Sequence, residues 1–157
     1  MSLTMRRVAL LLFLLVLWGA GPAAAAGLPR VLTQLKPAFQ VRPAVISYTG
    51  DGTGLVGGFD GSGVKHPGHL QWTTYNRLEG LGRGLLWLDD CTPSCAGGTF
   101  TSTPVSVHAF DPRSGRFQRL TLTYTYDGKA YTDRRGIRYY AGVANGPGYW
   151  QYDIISF

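Results

Sequence analysis

The sequence predicts an all-β protein, a single antiparallel β-sandwich or small barrel of about seven strands behind a cleaved signal peptide. Three observations carry this. Past residue 26 the chain is rich in Gly, Thr and Tyr and poor in Glu, Lys and Ala, a balance that favours pleated strands over helices. The stretch RFQRLTLTYTY, residues 116–126, puts Leu120, Leu122, Tyr124 and Tyr126 on one face and Arg119, Thr121, Thr123 and Thr125 on the other, the period of two of a half-buried strand. Turn-forming clusters interrupt the apolar runs at short intervals, so no segment sustains a helical repeat.

Residues 1–26 are read first, because they are not part of the fold. Arg6 and Arg7 precede an almost unbroken apolar run from Val8 to Ala20, and GPAAAA then offers small residues to a signal peptidase. The run is too short for a first reading as a spanning helix, and no second stretch of that length follows, so no membrane span is expected after cleavage near Ala26. Residues 27–41 form a leader, weakly helical at best because Pro29 and Pro37 bracket it, and residues 42–157 form one β domain.

Within that domain RPAVISYTG reads as a first strand, ended by a glycine-rich tract from Gly50 to Gly63. HLQWTTYN and GLLWLDD follow, joined through RLEGLGRG, where Gly80, Gly82 and Gly84 suggest a tight turn or a bulged strand. PVSVHAF and RFQRLTLTYTY make the clearest hairpin, across DPRSG. Asp127 and Gly128 suit a type I′ turn, because both central residues there need positive φ; that turn places Tyr124 opposite Tyr131 and Arg134 opposite Thr121. A last strand, in GYWQYDIISF, aligns Trp150, Tyr152 and Ile154 on one face.

The cysteines bear on chemistry. Cys91 and Cys95 stand in DDCTPSCAGG; in an exported protein such a close pair is most simply a disulfide, with Thr92, Pro93 and Ser94 supplying the turn. A redox pair would prefer C-x-x-C at a helix N-terminus. Zinc is a weaker alternative: His66 and His69 in HPGH would complete a two-His, two-Cys set, but bridge formation removes both thiolates. Asp51 and Asp60 each open a D-G-[TS]-G quartet, yet neither has a second carboxylate nearby, so both read as turns rather than calcium loops. DGSG around Ser62 has the wrong order for a trypsin-like nucleophile loop, and Glu79, the only glutamate, stands in a glycine-rich turn without an acidic partner. His108 alternates with Val107 and Ala109 and is expected to point outward. Hence no catalytic residue, metal or cofactor is assigned.

RPAVISYTGDGTGLVGG, HLQW, LLWLDDCTPSCAGGTF, PVSVHAF and RFQRLTLTYTY, taken in order, resemble a family of small secreted actinobacterial proteins without established function. The match spans most of Arg42 to Tyr126, and DCTPSCAGGTF is its most specific piece. The FDGSGVKHPGH stretch is longer than the family's turn, and the C-terminal segment departs from it. What the resemblance implies is secretion and a shared fold, with no site residues to carry over.

Charge supplies the functional expectation. The formal net charge is +6, of which Arg6 and Arg7 leave with the signal peptide. The remaining excess is local: Arg113, Arg116, Arg119, Lys129, Arg134, Arg135 and Arg138 are set against only Asp127 and Asp133 in that span. Such a basic lobe outside the cell would meet an anionic cell-wall polymer or acidic polysaccharide, rather than nucleic acid, through Arg119, Arg134 and Arg135. The sequence-level expectation is therefore a secreted, monomeric, non-catalytic binding or structural module, extracellular or associated with the cell wall. An unrecognised secreted enzyme or inhibitor is the alternative.

Overall fold

A computed structural model describes residues 27–60, 65, 66, 68–142 and 146–155. Its strands are β1 (Val31–Leu32), β2 (Phe39–Gln40), β3 (Ile46–Ser47), β4 (Gly54–Val56), β5 (Phe59–Asp60), β6 (Lys65–His66), β7 (Gln71–Tyr75), β8 (Gly80–Asp89), β9 (Phe100–Arg113), β10 (Arg116–Tyr126), β11 (Lys129–Tyr140) and β12 (Tyr149–Ile154). Seven of them form one antiparallel sheet in the order β12-β11-β10-β9-β8-β4-β3, curled into a half-barrel. Strand β7 also joins this sheet, sharing one edge of β8 with β4: it pairs with Gly80 to Arg83, while β4 pairs with Leu86 to Leu88. Two short ladders, β1-β2 and β5-β6, complete the described strands.

The three longest strands follow from their turns and their alternation. Ser114 and Gly115 (φ 49° and 71°) and Asp127 and Gly128 (φ 49° and 70°) adopt the paired positive φ of type I′ turns, which match the twist of the flanking strands. The second turn sets the expected register: Tyr124 lies opposite Tyr131, with rings stacked at 5.4 Å, and Thr121 lies opposite Arg134. Leu120 and Leu122 are buried, as are Val105, Val107 and Ala109 across the ladder on β9. Nearer the Ser114 turn the ladder skips Asp111 (φ 58°) and Gln118, and the buried positions step by three, from Phe117 to Leu120.

The glycines of RLEGLGRG lie in a strand. The turn itself is Asn76–Glu79, where the Asn76 amide donates to the Glu79 carbonyl at 2.9 Å and the Asn76 side chain accepts from Leu78 and Glu79. β8 already begins at Gly80, and the ladder to β7 shifts register between Trp72 and Thr74, so the bulge lies in β7, opposite the glycines rather than among them. A Cβ on Gly80 would stand 2.9 Å from the Trp72 ring, so the missing side chain is what lets that indole lie across β8 and donate to the Pro43 carbonyl at 2.9 Å.

The leader packs into the core and has no helix. Val31, Leu32 and Thr33 are fully buried within the curl of the sheet. Arg30 donates from its amide to the Gly115 carbonyl and accepts from the Phe117 amide, both at 3.0 Å, while the Thr33 carbonyl accepts from Ser47 at the β3 edge. Two tyrosine hydroxyls reach in from the sheet: Tyr75 donates to the Pro29 carbonyl and Tyr152 to the Leu32 carbonyl, both at 2.7 Å. Pro29 and Pro37 leave room for only a short helix between them, and an apolar Val-Leu pair gains about 1.5–3 kcal/mol per side chain by filling the open half-barrel instead.

Candidate functional site

The second face of the sheet is its polar face. Alternation turns every other residue of β8, β9, β10 and β11 away from the core, and the registers align those residues in rows about 4.8 Å apart from strand to strand. One row runs Gln71, Arg83, Ser106, Thr123, Thr132. The next runs Leu81, His108, Thr121, Arg134. Beyond it, Phe110, Arg119 and Gly136 form a third.

Between these rows lies a shallow groove of about 230 Å³ walled by Thr73, Arg83, Ser106, His108, Thr121 and Thr123. It continues into a second groove of about 470 Å³ that shares Arg83, Ser106 and Thr123 and extends to Thr103 and Thr125. The floor is therefore hydroxyl-lined, with the exposed Arg83 standing over both parts. Among the described residues Arg83 has no ion-pair partner, whereas Arg113 and Arg119 share the Asp111 carboxylate at 3.0 and 3.3 Å and Arg138 holds Asp153 at 3.0 Å.

His108 borders the groove and points outward, as the alternation required. Its Nε2 lies 3.0 Å from Glu79 Oε2, and its ring stacks on Phe110 at 4.7 Å. The turn at Asn76–Glu79 delivers the carboxylate to the end of the groove, so Glu79 has a partner that spacing along the sequence did not reveal.

The expected cluster of Arg119, Arg134 and Arg135 divides between the two faces. Arg119 and Arg134 share the threonine face. Arg135 stands opposite Leu120, so its side chain points to the core side, because neighbouring residues of a strand point to opposite faces. There it makes a bidentate pair with Asp133 at 2.7 and 2.9 Å and lies 5.2 Å from the centre of the Tyr48 ring, with its side chain only 15% exposed. Arg116 is also engaged, over the rings of Phe39 and Trp150 at 4.5 and 4.8 Å. The cation that composition did not single out, Arg83, takes the place of Arg135 on the polar face.

Cys91 and Cys95 form a disulfide in the β8–β9 connection. The loop is organised by carboxylates: Asp89 accepts from the Cys91 amide at 3.0 Å, and Asp90 accepts from the amides of Thr99 and Thr92 at 2.9 and 3.0 Å. Those two amides hold the exposed Asp90 carboxyl below the usual carboxylate range. With both sulfurs bridged, neither is available as a thiolate ligand. His69 is exposed, while the side chains of His66 and Asp60 lie outside the described residues. Asp51 closes its turn by accepting from the amide and hydroxyl of Thr53 at 3.0 and 2.7 Å. Burial is the largest single influence and pushes its carboxyl up, but the hydrogen bonds from Thr53 and Thr49 together outweigh it and hold the carboxyl low. Both observations suit a turn.

Comparison of the chain with protein-family models, with curated proteins and with solved structures finds no match.

Proposed function

We propose that this chain is a non-catalytic binding module of the cell envelope or extracellular space, and that the polar face of its sheet takes an anionic polymer. One observation carries the reading: the continuous groove in which Arg83 stands over rows of hydroxyls, with Arg119 and Arg134 on the same face. Hydroxyls and guanidinium groups are donors matched to phosphate, sulfate or carboxylate, and an open groove across several strands admits a chain rather than enclosing a small molecule. The disulfide and the signal-like N-terminus support a place outside the cytoplasm.

The test is retention on purified cell wall and on an immobilised acidic polysaccharide, comparing wild type with the Arg83→Ser, Arg119→Ser, Arg134→Ser variant. At about 0.5 kcal/mol for each exposed cation, the triple variant should bind roughly tenfold more weakly. The difference should narrow between about 50 and 200 mM salt as screening weakens the attraction. Lys36→Ser, which removes an exposed charge from the leader, should bind like wild type. Equal retention of the triple variant, or retention indifferent to salt, refutes the proposal. The pairing of His108 with Glu79 beside Ser106 and Thr121 favours a hydrolase as second reading, and polymer cleavage abolished by His108→Ala would establish it.

A further inference from the structure

We infer that a pocket between the leader and the β9–β10 turn binds a phosphate group, held jointly by Arg30 and Arg116. The pocket has a volume of about 290 Å³ and is lined by Gly27, Leu28, Arg30, Ser114, Gly115 and Arg116. It shares no residue with the groove on the polar face, so it is a second site that stands whether or not the groove takes a polymer.

The backbone brings the two arginines together. Arg30 forms a parallel bridge with Arg116: its amide donates to the Gly115 carbonyl and its carbonyl accepts from the Phe117 amide, both at 3.0 Å. Residues bridged in this way carry their side chains on the same face as nearest neighbours. On the other side of Arg116, across the Ser114–Gly115 turn, the register sets Arg113. Three arginines thus stand abreast, and like charges placed opposite one another destabilise a ladder. An anion lying across them removes that cost.

The nearby carboxylates are committed elsewhere. Asp111 holds Arg113 at 3.0 Å and Arg119 at 3.3 Å, and Asp153 holds Arg138 at 3.0 Å. Asp127 lies past the far end of β10. No acid precedes Asp51 in the sequence, so neither the leader nor the residues before it supply one.

Both arginines are positioned in advance. The Arg30 side chain stands on an exposed residue, but its backbone is fixed between Pro29, whose carbonyl accepts the Tyr75 hydroxyl at 2.7 Å, and the fully buried Val31. The Arg116 guanidinium lies over the rings of Phe39 and Trp150 at 4.5 and 4.8 Å, which hold it in place without neutralising it. One guanidinium satisfies a carboxylate with a bidentate pair. Two side by side suit a group with more oxygens and more charge, and a phosphate brings three acceptor oxygens and a charge close to two. The Ser114 hydroxyl adds a donor from the turn.

Titration of the isotopically labelled protein with inorganic phosphate at low salt should shift the amide resonances of Arg30, Gly115 and Arg116 together and saturably. Methyl phosphate distinguishes the sources: binding as tight as phosphate or tighter marks a phosphate ester as the ligand, and weaker binding marks the free ion. Acetate, which one guanidinium satisfies, should bind about tenfold more weakly. Arg30→Ser and Arg116→Gln should each weaken phosphate binding about tenfold, the loss of one charge-assisted contact, in proteins whose spectra stay well dispersed. Arg83→Ser, in the groove, should leave the response of these three resonances as in wild type. No saturable shift, a shift that Arg30→Ser leaves unchanged, or acetate binding as tightly as phosphate would overturn the inference.

Discussion

Replacing Leu32 by Ala tests whether the leader belongs to the hydrophobic core. Leu32 is fully buried, and its carbonyl accepts the Tyr152 hydroxyl, so the backbone on which the side chain stands is held and cannot readily collapse into the space left behind. Truncating a buried leucine removes its transfer free energy and leaves a cavity, which together cost about 2–5 kcal/mol, and the fixed backbone places Leu32 in the upper half of that range. For a domain of this size that is a large share of a total stability of about 5–15 kcal/mol. The matched control is Leu78→Ala, since Leu78 is 75% exposed and its truncation should stay within about 0.5 kcal/mol. Urea denaturation followed by tryptophan fluorescence measures both. A midpoint for Leu32→Ala within error of Leu78→Ala would refute the placement of the leader in the core.

Two further predictions concern stability. The Cys91–Cys95 bridge closes so short a loop that the chain-entropy argument gives it only about 2 kcal/mol, so reduction should lower the melting temperature yet leave the domain folded at room temperature; unfolding on reduction at 25 °C would contradict this. Burial pushes the hydroxyls of Tyr48 and Tyr152 well above the ordinary 10.0. A folded-state pKa raised in this way leaves stability intact below the unfolded pKa and removes it as pH climbs beyond, because only the unfolded chain releases the protons. Alkaline titration should therefore show unfolding and cooperative tyrosinate absorbance together above about pH 10, and ionisation of both tyrosines without unfolding would contradict their burial.

The strands β9 to β11 were legible because their information is local and redundant. Leu120 and Leu122 alternate with Thr121 and Thr123, and Asp127-Gly128 fixes the register that joins Tyr124 to Tyr131 and Thr121 to Arg134. The leader was not legible, since Val31 and Leu32 make a strand too short to show any period and owe their place to distant partners such as Ile46 and Leu120 in the same buried cluster. Clustering of arginines along the chain is a poor guide to clustering on a surface. Arg134 and Arg135 are neighbours in sequence but point to opposite faces, whereas Arg83 and Arg134 are far apart in sequence and share one. Arg83 could have been found by running the alternation of GLLWLDD back through Gly84 and Gly82, but those glycines suit a tight turn as well as a bulged strand, so the sequence leaves the strand's first half undecided.

The bond from the Tyr152 hydroxyl to the Leu32 carbonyl spans 120 residues, nearly the whole distance from the leader to the end of β12. A ribosome delivers Leu32 120 residues before Tyr152, so the leader waits exposed while everything between is made. The hairpins of β9 to β11 depend on near neighbours and are free to form first, whereas the closing contact joins residues 120 apart and raises the contact order. During that interval Val31, Leu32 and Phe39 are open apolar surface on an unfinished chain, the kind of segment that chaperones hold and aggregates recruit. Loss of β12 therefore removes more than one strand of the sheet: it leaves the leader, made long before it, without the partner that seals it in.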